Sequence, residues 1–366
     1  MRVTHIHRLR GVGGSERHLL TLLPALRERG VDARFLGLDD GEPDPFYAQL
    51  DGLDVPYDRL RAPHDLDPAL LLRTVRLIRR CRPDIVHTHL VHADVYGAAA
   101  AQAAGATLVS TKHNDDPFRL GPFRHVERLL ARRAARTVCI TGSLARFNVE
   151  QVGLPASKVV VVHYGLDELP AAWGPPGGPK LPEGARVLLA VSRLERQKGI
   201  DVAIEALALI RPRHPQAVLV VLGRGRLEQE LLGLAAERGV ADAVYLPGGV
   251  GDVTDWLLRA ELLIHPARWE GFGLALLEAM LAELPIVASS VSSIPEIVVD
   301  QQTGLLVPPD DAERLASAID ALLTDSRLRT TYGRAGLARV RDRFSVARMA
   351  EHTEKVYVEA LASRRR

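Results

Sequence analysis

The 366 residues are too many for one ordinary hydrophobic core and call for two domains of usual size. Apolar residues make up 47% and charged residues 25%, with a net charge of +2, so the balance is globular and nothing in it calls for nucleic acid. Cys81 and Cys139 stand far apart without metal-ligand spacing, which excludes a disulfide framework or zinc site; both read as small buried hydrophobes. The opening Met-Arg-Val-Thr-His-Ile-His reads as a strand and not as a signal peptide. The longest apolar runs are strand-length, short of the roughly 18 to 20 residues of a membrane span. A reducing, cytoplasmic setting is therefore expected. Lysine occurs only five times, at Lys112, Lys158, Lys180, Lys198 and Lys355, so a lysine in an anion-binding context carries information.

In chain order, Val3 to His7 reads as the first strand and Gly11 to Gly14 as a glycine turn. Ser15 is expected to cap a helix running to Gly30. Short apolar strands follow at Ala33 to Leu38, Ile85 to His87, Thr107 to Ser110, Thr137 to Ile140 and Val159 to Val162, with helical stretches between most of them. Asp167 to Arg186, with Pro170, Pro175, Pro176, Pro179 and Pro182 among four glycines, has no periodic apolar pattern and reads as a linker. The alternation then restarts. Strands are expected at Val187 to Val191, Val218 to Leu222, Val244 to Leu246, Leu262 to His265 and Ile286 to Ala288. Helices are expected near Gly199 to Ile210, Leu227 to Arg238, Leu274 to Glu283 and Asp310 to Leu323, with a last amphipathic stretch at Val346 to Leu361. The fold class is α/β: two Rossmann-like doubly wound domains facing across a cleft, with ligands expected beyond the carboxyl ends of the strands.

Three segments fall at such strand ends. Gly11-Val12-Gly13-Gly14-Ser15-Glu16 joins the first strand to the first helix, where glycines admit close approach and the helix start offers N–H groups to an anion; a bare tight turn is the other reading. Arg193 and Lys198 sit on the loop after Val187 to Val191, suited to hold a diphosphate and stabilise it as a leaving group; a surface charge pair is the alternative. Arg268-Trp269-Glu270-Gly271-Phe272-Gly273-Leu274-Ala275-Leu276-Leu277-Glu278 is the strongest signal. Its glutamates lie eight apart. Glu278, two turns into a helix, suits a pair of ribose hydroxyls, and Glu270 suits sugar hydroxyls. The N–H groups of Phe272 and Gly273 can meet the diphosphate. Two solvated glutamates would not explain the Gly-Phe-Gly turn between them.

Read together, these residues resemble the retaining GT-B glycosyltransferases of the glycogen-synthase-like group, glycosyltransferase family 4, over nearly the whole chain. Gly13-Gly14-Ser15-Glu16 is similar to that family's Gly-Gly-x-Glu. Asp84 to His89 and Ser110 to Asn114 are similar to its two histidine-bearing strand ends, and Val162 to Asp167 to its turn before the linker. Ser192-Arg193-Leu194 with Lys198-Gly199, Leu222-Gly223-Arg224-Gly225, Glu270 with Glu278, and Ile294-Pro295-Glu296 with Thr303 to Val307 follow in the family's order. Tyr164 stands where the family has asparagine, Ser292-Ser293 where it has a glycine pair, and Ser192 where it has glycine.

The resemblance implies an acceptor-binding domain at 1–168, a linker at 169–185, a nucleotide-sugar-binding domain at 186–343, and a terminal helix, 344–366, crossing back to the first domain. It implies a hexosyl transfer with retained configuration and no protein nucleophile, the departing phosphate helping to deprotonate the acceptor. His113, Glu270, Arg193 and Lys198 are expected at the reacting centre. Gly14, Gly223, Gly271, Phe272, Gly273, Leu274 and Glu278 are expected around the donor with Arg193 and Lys198. Gly13, Glu16, His87 and His89 are expected on the acceptor side. A satisfied structural role is the alternative for His113, and a stiffening role for His87 and His89.

No metal and no organic cofactor are expected; the nucleotide-sugar is a substrate. Asp65-Leu66-Asp67 fits a metal-binding Asp-x-Asp string, but Asp67-Pro68 before Ala69-Leu70-Leu71-Leu72 reads as a helix N-cap with proline at the first position. Donors are expected in the order UDP-sugar, then GDP-mannose, and the acceptor is a hydroxyl of a glycan, lipid-linked precursor or small metabolite. Arg119 to Arg136, with Phe123, Val126, Leu129 and Leu130 at helical spacing, is either a solvated arginine-rich helix or a peripheral contact with the anionic inner face of a membrane. A hydrolysing sugar-nucleotide 2-epimerase and a catalytically silent nucleotide-sugar binder are the other readings. A phosphorylase-like enzyme lacks a pyridoxal lysine context.

Overall fold

The computed structural model describes residues 1–9, 13–41, 45–64, 67–169, 177–250 and 253–364. Gly11, Val12, Asp65, Leu66, Pro170, Gly174, Pro175 and Pro176, all used above, lie outside the described residues. The chain divides into two compact units, Met1–Gly165 with Ser345–Arg366, and Leu166–Phe344.

The first unit holds seven parallel strands: β1 (Arg2–Arg8), β2 (Asp32–Asp39), β3 (Tyr57–Arg61), β4 (Ile85–His89), β5 (Thr107–Lys112), β6 (Arg136–Cys139) and β7 (Val159–Val161), in the order β3-β2-β1-β4-β5-β6-β7. Alternate residues share a face. Val3, His5 and His7 therefore share one side of β1, and the register sets His5 beside His87 and His7 beside His89 on β4. On β4's other neighbour, Val109 pairs with His87 and Thr111 with His89. This face is apolar at the start of its strands, where Val3, Phe35, Ile85 and Val109 join one core cluster, and histidine-rich at their ends. The opposite face, with Ile6, Leu36, Val86 and Leu108, forms a second core. Phe35 is fully buried, and its truncation to alanine would cost about 3–5 kcal/mol.

Helix Gly14–Glu28 and the terminal helix Val346–Arg364 pack on each other and on the histidine-bearing face, contributing Leu19, Leu22, Met349 and Tyr357 to its core. Gly13, not Ser15, is the N-cap of the first helix. Glu16 closes the box from the other side, its Oε2 accepting from the Gly13 N–H at 2.9 Å and the Ser15 hydroxyl at 3.0 Å. Asp67 does cap Pro68–Cys81, accepting from the Ala69 N–H at 2.8 Å.

The second unit has β8 (Arg186–Val191), β9 (Ala217–Leu222), β10 (Val244–Gly248), β11 (Leu262–His265), β12 (Ile286–Ser289) and β13 (Gly304–Val307), all parallel in the order β10-β9-β8-β11-β12-β13. Its linker end is held by Trp256, whose indole donates to the Gly177 carbonyl at 2.9 Å. Edge strands β3 and β13 and the 18-residue helix Ser326–Arg343 are among the elements that go beyond the sequence reading. That helix lies so close to the turn after Leu274–Leu281 that a Cβ at Gly333 would sit 2.0 Å from the Glu283 carbonyl.

Candidate active site

In the second unit the loop after β8 and the loop after β11 are laced together. Arg268 N–H donates to the Gln197 carbonyl at 2.8 Å, and the Gln197 side chain donates to the Trp269 carbonyl at 3.0 Å. This brings Lys198 Nζ to 2.6 Å from Glu270 Oε2, and His265 at the end of β11 donates to the same oxygen from Nε2 at 2.9 Å. Burial works to raise the Glu270 pKa. The Lys198 charge and the His265 hydrogen bond outweigh it and hold the carboxyl well below the usual range. Glu270 Oε1 has no hydrogen-bond partner among the described residues. Arg193 is exposed, its side chain donates to no carboxylate among them, and it donates only to Gln197 Oε1 at 3.2 Å.

Gly273, at φ 92°, takes the left-handed conformation that starts helix Leu274–Leu281, a turn costly for any residue with a Cβ. Leu274 is the first residue of that helix, and Glu278 on it is 2% exposed. The preceding Glu270-Gly271-Phe272 loop is held from beneath by Ser293, whose hydroxyl lies 3.0 Å from the Glu270 carbonyl and 3.2 Å from that of Phe272. Phe272 meets Phe344 edge to face at 6.1 Å. Gly223 permits the end of β9 to touch the loop after β8: a Cβ there would lie 2.0 Å from the Ser192 carbonyl.

In the first unit His5, His87, His89 and His113 form one hydrogen-bonded chain with Thr111, Tyr357 and Tyr164. Thr111 Oγ1 lies 2.6 Å from His87 Nε2, and His87 Nδ1 lies 2.7 Å from the Tyr357 hydroxyl. That hydroxyl is 3.1 Å from His5 Nε2, and His5 Nδ1 is 3.0 Å from His89 Nε2. His89 Nδ1 is 3.0 Å from His113 Nε2, and His113 Nδ1 is 2.5 Å from the Tyr164 hydroxyl. His18 stacks on Tyr164 with ring centroids 4.3 Å apart. Burial pushes His5 and His18 down to about 3 and holds His87, His89 and His113 well below their ordinary value, so the cluster is neutral. Burial likewise pushes Tyr164 and Tyr357 up. Both ring nitrogens of His87, His89 and His113 are thus engaged inside the unit. Glu16 is buried and divides its carboxylate between its own helix cap and His7 Nε2, 3.5 Å away.

The segment after β5 is anchored by buried charge. Lys112 donates to Asp94 at 2.5 Å, Ser110 donates to Asp94 at 2.6 Å, and Arg119 makes a bidentate pair with Glu127 and donates to the Asn114 carbonyl. Arg119 is 1% exposed, which removes it from the basic surface expected for Arg119 to Arg136. The helix there runs Arg124–Arg133, and its exposed residues include Val126, Leu129, Arg132 and Arg133.

Arg193, Lys198, Gly223, Glu270 to Leu274 and Glu278 therefore gather at the strand ends of the second unit. Gly13, Gly14, Glu16, His87, His89 and His113 gather at those of the first. His265, Gln197 and Ser293 were not legible as partners of the second group, nor His5, His18, Tyr164 and Tyr357 as partners of the first. The paired spacing of His5 with His7 and His87 with His89 was the one available signal.

The family model described as Glycosyltransferase Family 4 matches residues 12–168, and that described as Glycosyl transferases group 1 matches residues 177–339. The chain is 31% identical over 307 residues to glycogen synthase of Mycobacterium tuberculosis, covering 80% of this chain and 72% of that one. It is 29% identical over 357 residues to phosphatidyl-myo-inositol mannosyltransferase of Mycobacterium leprae, covering 94% and 92%. Among solved structures, Anabaena HepE in complex with UDP-glucose superposes with a TM-score of 0.83 over 99% of this chain and 100% of that one, at 22% identity, a likeness of fold. With two doubly wound units, each carrying its polar cluster at the carboxyl ends of a parallel sheet, the chain belongs to the group 1 glycosyl transferases of glycosyltransferase family 4 and is a glycosyltransferase of the GT-B fold.

Proposed function

We propose that this glycosyltransferase moves a sugar from a nucleotide-sugar donor to a hydroxyl acceptor, with retention of configuration and without a metal ion. The observation that carries the reading is Glu270: ionised, buried, fixed through Oε2 by Lys198 and His265, and open at Oε1 to accept from a donor-sugar hydroxyl. Among the described residues Lys198 keeps two further N–H groups, and Arg193 has no carboxylate to neutralise it. Together they would meet the diphosphate and stabilise the charge that develops as it leaves. Glu278 would take the ribose. The sugar C1–O bond to the phosphate breaks, the acceptor oxygen bonds C1 on the same face, and its proton passes to the departing phosphate. His113 is assigned to the reacting centre, where one of its two ring hydrogen bonds has to exchange for a donor-sugar hydroxyl.

A UDP-sugar is the first donor candidate, in keeping with the UDP-glucose bound by the Anabaena structure. GDP-mannose is the second, and a lipid-linked acceptor gains support from the activity named for the Mycobacterium leprae relative. The cytoplasmic setting is carried over from composition. No helix among the described residues is long and apolar enough to cross a membrane. Peripheral contact with an anionic membrane would rest on Val126, Leu129, Arg132 and Arg133, without Arg119.

The test is nucleotide release from UDP-, GDP- and ADP-sugars in excess EDTA, with and without a pooled acceptor extract, followed by the anomeric coupling constant of the product. Acceptor-dependent, EDTA-resistant release with the donor's configuration kept is expected. Full dependence on added metal, or an inverted anomer, would sink the mechanism. Acceptor-independent turnover would favour the epimerase reading.

A further inference from the structure

The first unit has a second polar concavity at the opposite end of its sheet from the histidines. It is a cavity of about 530 Å³ at the start of β5 and β6 and just before β7, closed on one side by the end of helix Val346–Arg364. Its floor is apolar, formed by Ala98, Ala101, Leu108 and Ala134, all buried. Its polar lining is strongly one-signed: Arg133, Arg136, Lys158 and Arg364 converge on it, and no carboxylate lines it. Glu359 reaches one edge, 3.6 Å from Arg136 Nε. Arg133 and Arg364 are exposed and have no carboxylate partner among the described residues. Four cations gathered around a concave apolar floor repel one another unless an anion joins them.

Lys158 spends two N–H groups on the carbonyls of Arg132 and Ala134, at 2.6 and 2.8 Å, which fixes the ammonium at the rim with a third N–H to give. Burial and the nearby Arg136 push its pKa down, the expected response of a cation crowded by like charge.

We propose that this cavity binds the phosphoryl group of a phosphate ester, with Arg133, Arg136, Lys158 and Arg364 taking its oxygens. Guanidinium groups offer forked donors that match a tetrahedral dianion, whereas a monocarboxylate would leave most of this charge unanswered. The apolar floor suits the organic part of the ester. The phosphoryl group has two sources of the same chemistry, a soluble phosphate ester or the headgroup of an anionic lipid. The site is separate from the donor loops of the other unit and does not depend on the reaction proposed for them.

The experiment is calorimetric titration of the full-length protein with inorganic phosphate, beside sedimentation with phosphatidylcholine vesicles containing phosphatidic acid. The double variant Arg133→Ala/Arg364→Ala is compared with Arg327→Ala/Arg334→Ala, which removes two exposed arginines of helix Ser326–Arg343 in the other unit. A phosphate-binding component that weakens about tenfold or more in the first double variant and survives in the second is the expected result. Melting temperatures nearly unchanged in both double variants separate ligation from folding. Phosphate binding without vesicle binding assigns a soluble ester. Vesicle binding that the first double variant abolishes, without a response to free phosphate, assigns a lipid headgroup. Binding to neither probe, or binding that both double variants leave equal, overturns the proposal.

Discussion

Tyr357 and His87 lie 270 positions apart in the chain, yet the hydroxyl of one is 2.7 Å from Nδ1 of the other. Through that hydroxyl the terminal helix is tied to His5, His87, His89 and His113. Each neutral imidazole has one donor and one acceptor. With the buried Tyr357 hydroxyl proton spent inside it, the chain Thr111–His87–Tyr357–His5–His89–His113–Tyr164 has two self-consistent polarities. In one, Tyr357 donates to His5 and all four histidines carry Nδ1–H. In the other, Tyr357 donates to His87 and all four carry Nε2–H.

His5, His87, His89 and His113 should therefore share one tautomer. Long-range ¹H–¹⁵N correlation spectra read this directly, and a mixture of tautomers among the four would contradict the single chain. Tyr357→Phe leaves His5 Nε2 and His87 Nδ1 buried without their partner. It should lower the stability of the first unit by about 3 kcal/mol and let the tautomers of His5 and His87 separate.

Acid should unfold the first unit. His5 and His18 are pushed by burial from the ordinary 6.5 to about 3, so below pH 6.5 the unfolded chain binds protons that the folded one does not. Stability is full above pH 6.5 and is lost as the pH falls towards the folded values. At pH 5 each of these two histidines should cost about 2 kcal/mol, with His87, His89 and His113 adding in the same direction. Urea unfolding at pH 7.5, 6 and 5 measures it. Equal midpoints at all three would mean the cluster is charged or hydrated.

Lys198→Met strips Glu270 of its cation and leaves His265 as the only side-chain partner, among the described residues, of a buried carboxylate. It should destabilise the second unit by about 3–5 kcal/mol and lower the transfer rate about a hundredfold or more. Glu270→Gln should be milder for stability and still severe for transfer. The double variant should lose less stability than the sum of the two, because the unpaired charge is gone. Additive losses would show that the two side chains do not act as a pair.

Ser293→Ala removes the hydroxyl beneath the Glu270 and Phe272 carbonyls. The expected result is a stability loss of about 1 kcal/mol with a disproportionate, roughly tenfold fall in kcat and little change in the melting curve's shape. Unchanged kcat would show that the loop is held without it. The serine thus does at this position what a glycine could not, since glycine has no hydroxyl to offer.

Much of the second-unit site was legible because it is local. The glycine at 273, the helix after it, Glu278 two turns on, and the cations after β8 are fixed by spacing within single segments. The partnership of Lys198 with Glu270 was not, because the two stand 72 positions apart and meet only when β8 and β11 pair. The same limit hid Arg119. It opens an arginine-rich stretch, but its burial is decided by Glu127 and Asn148 folding over it.

By itself the sequence determined two alternating α/β units, most of their strands, the Asp67 N-cap and the glycine-framed loops, since periodicity and turn chemistry act over a few residues. It did not show β3, whose Tyr-Asp-Arg-Leu-Arg strand is an edge with little apolar pattern, or helix Ser326–Arg343, which packs through Gly333 and Gly336 where an apolar stripe would have been visible. Only the tertiary structure decided that His5, His87, His89 and His113, from three strand ends, become one hydrogen-bonded chain. Sheet register aligns His5 with His87 and His7 with His89, and register is set by pairing between segments some eighty residues apart.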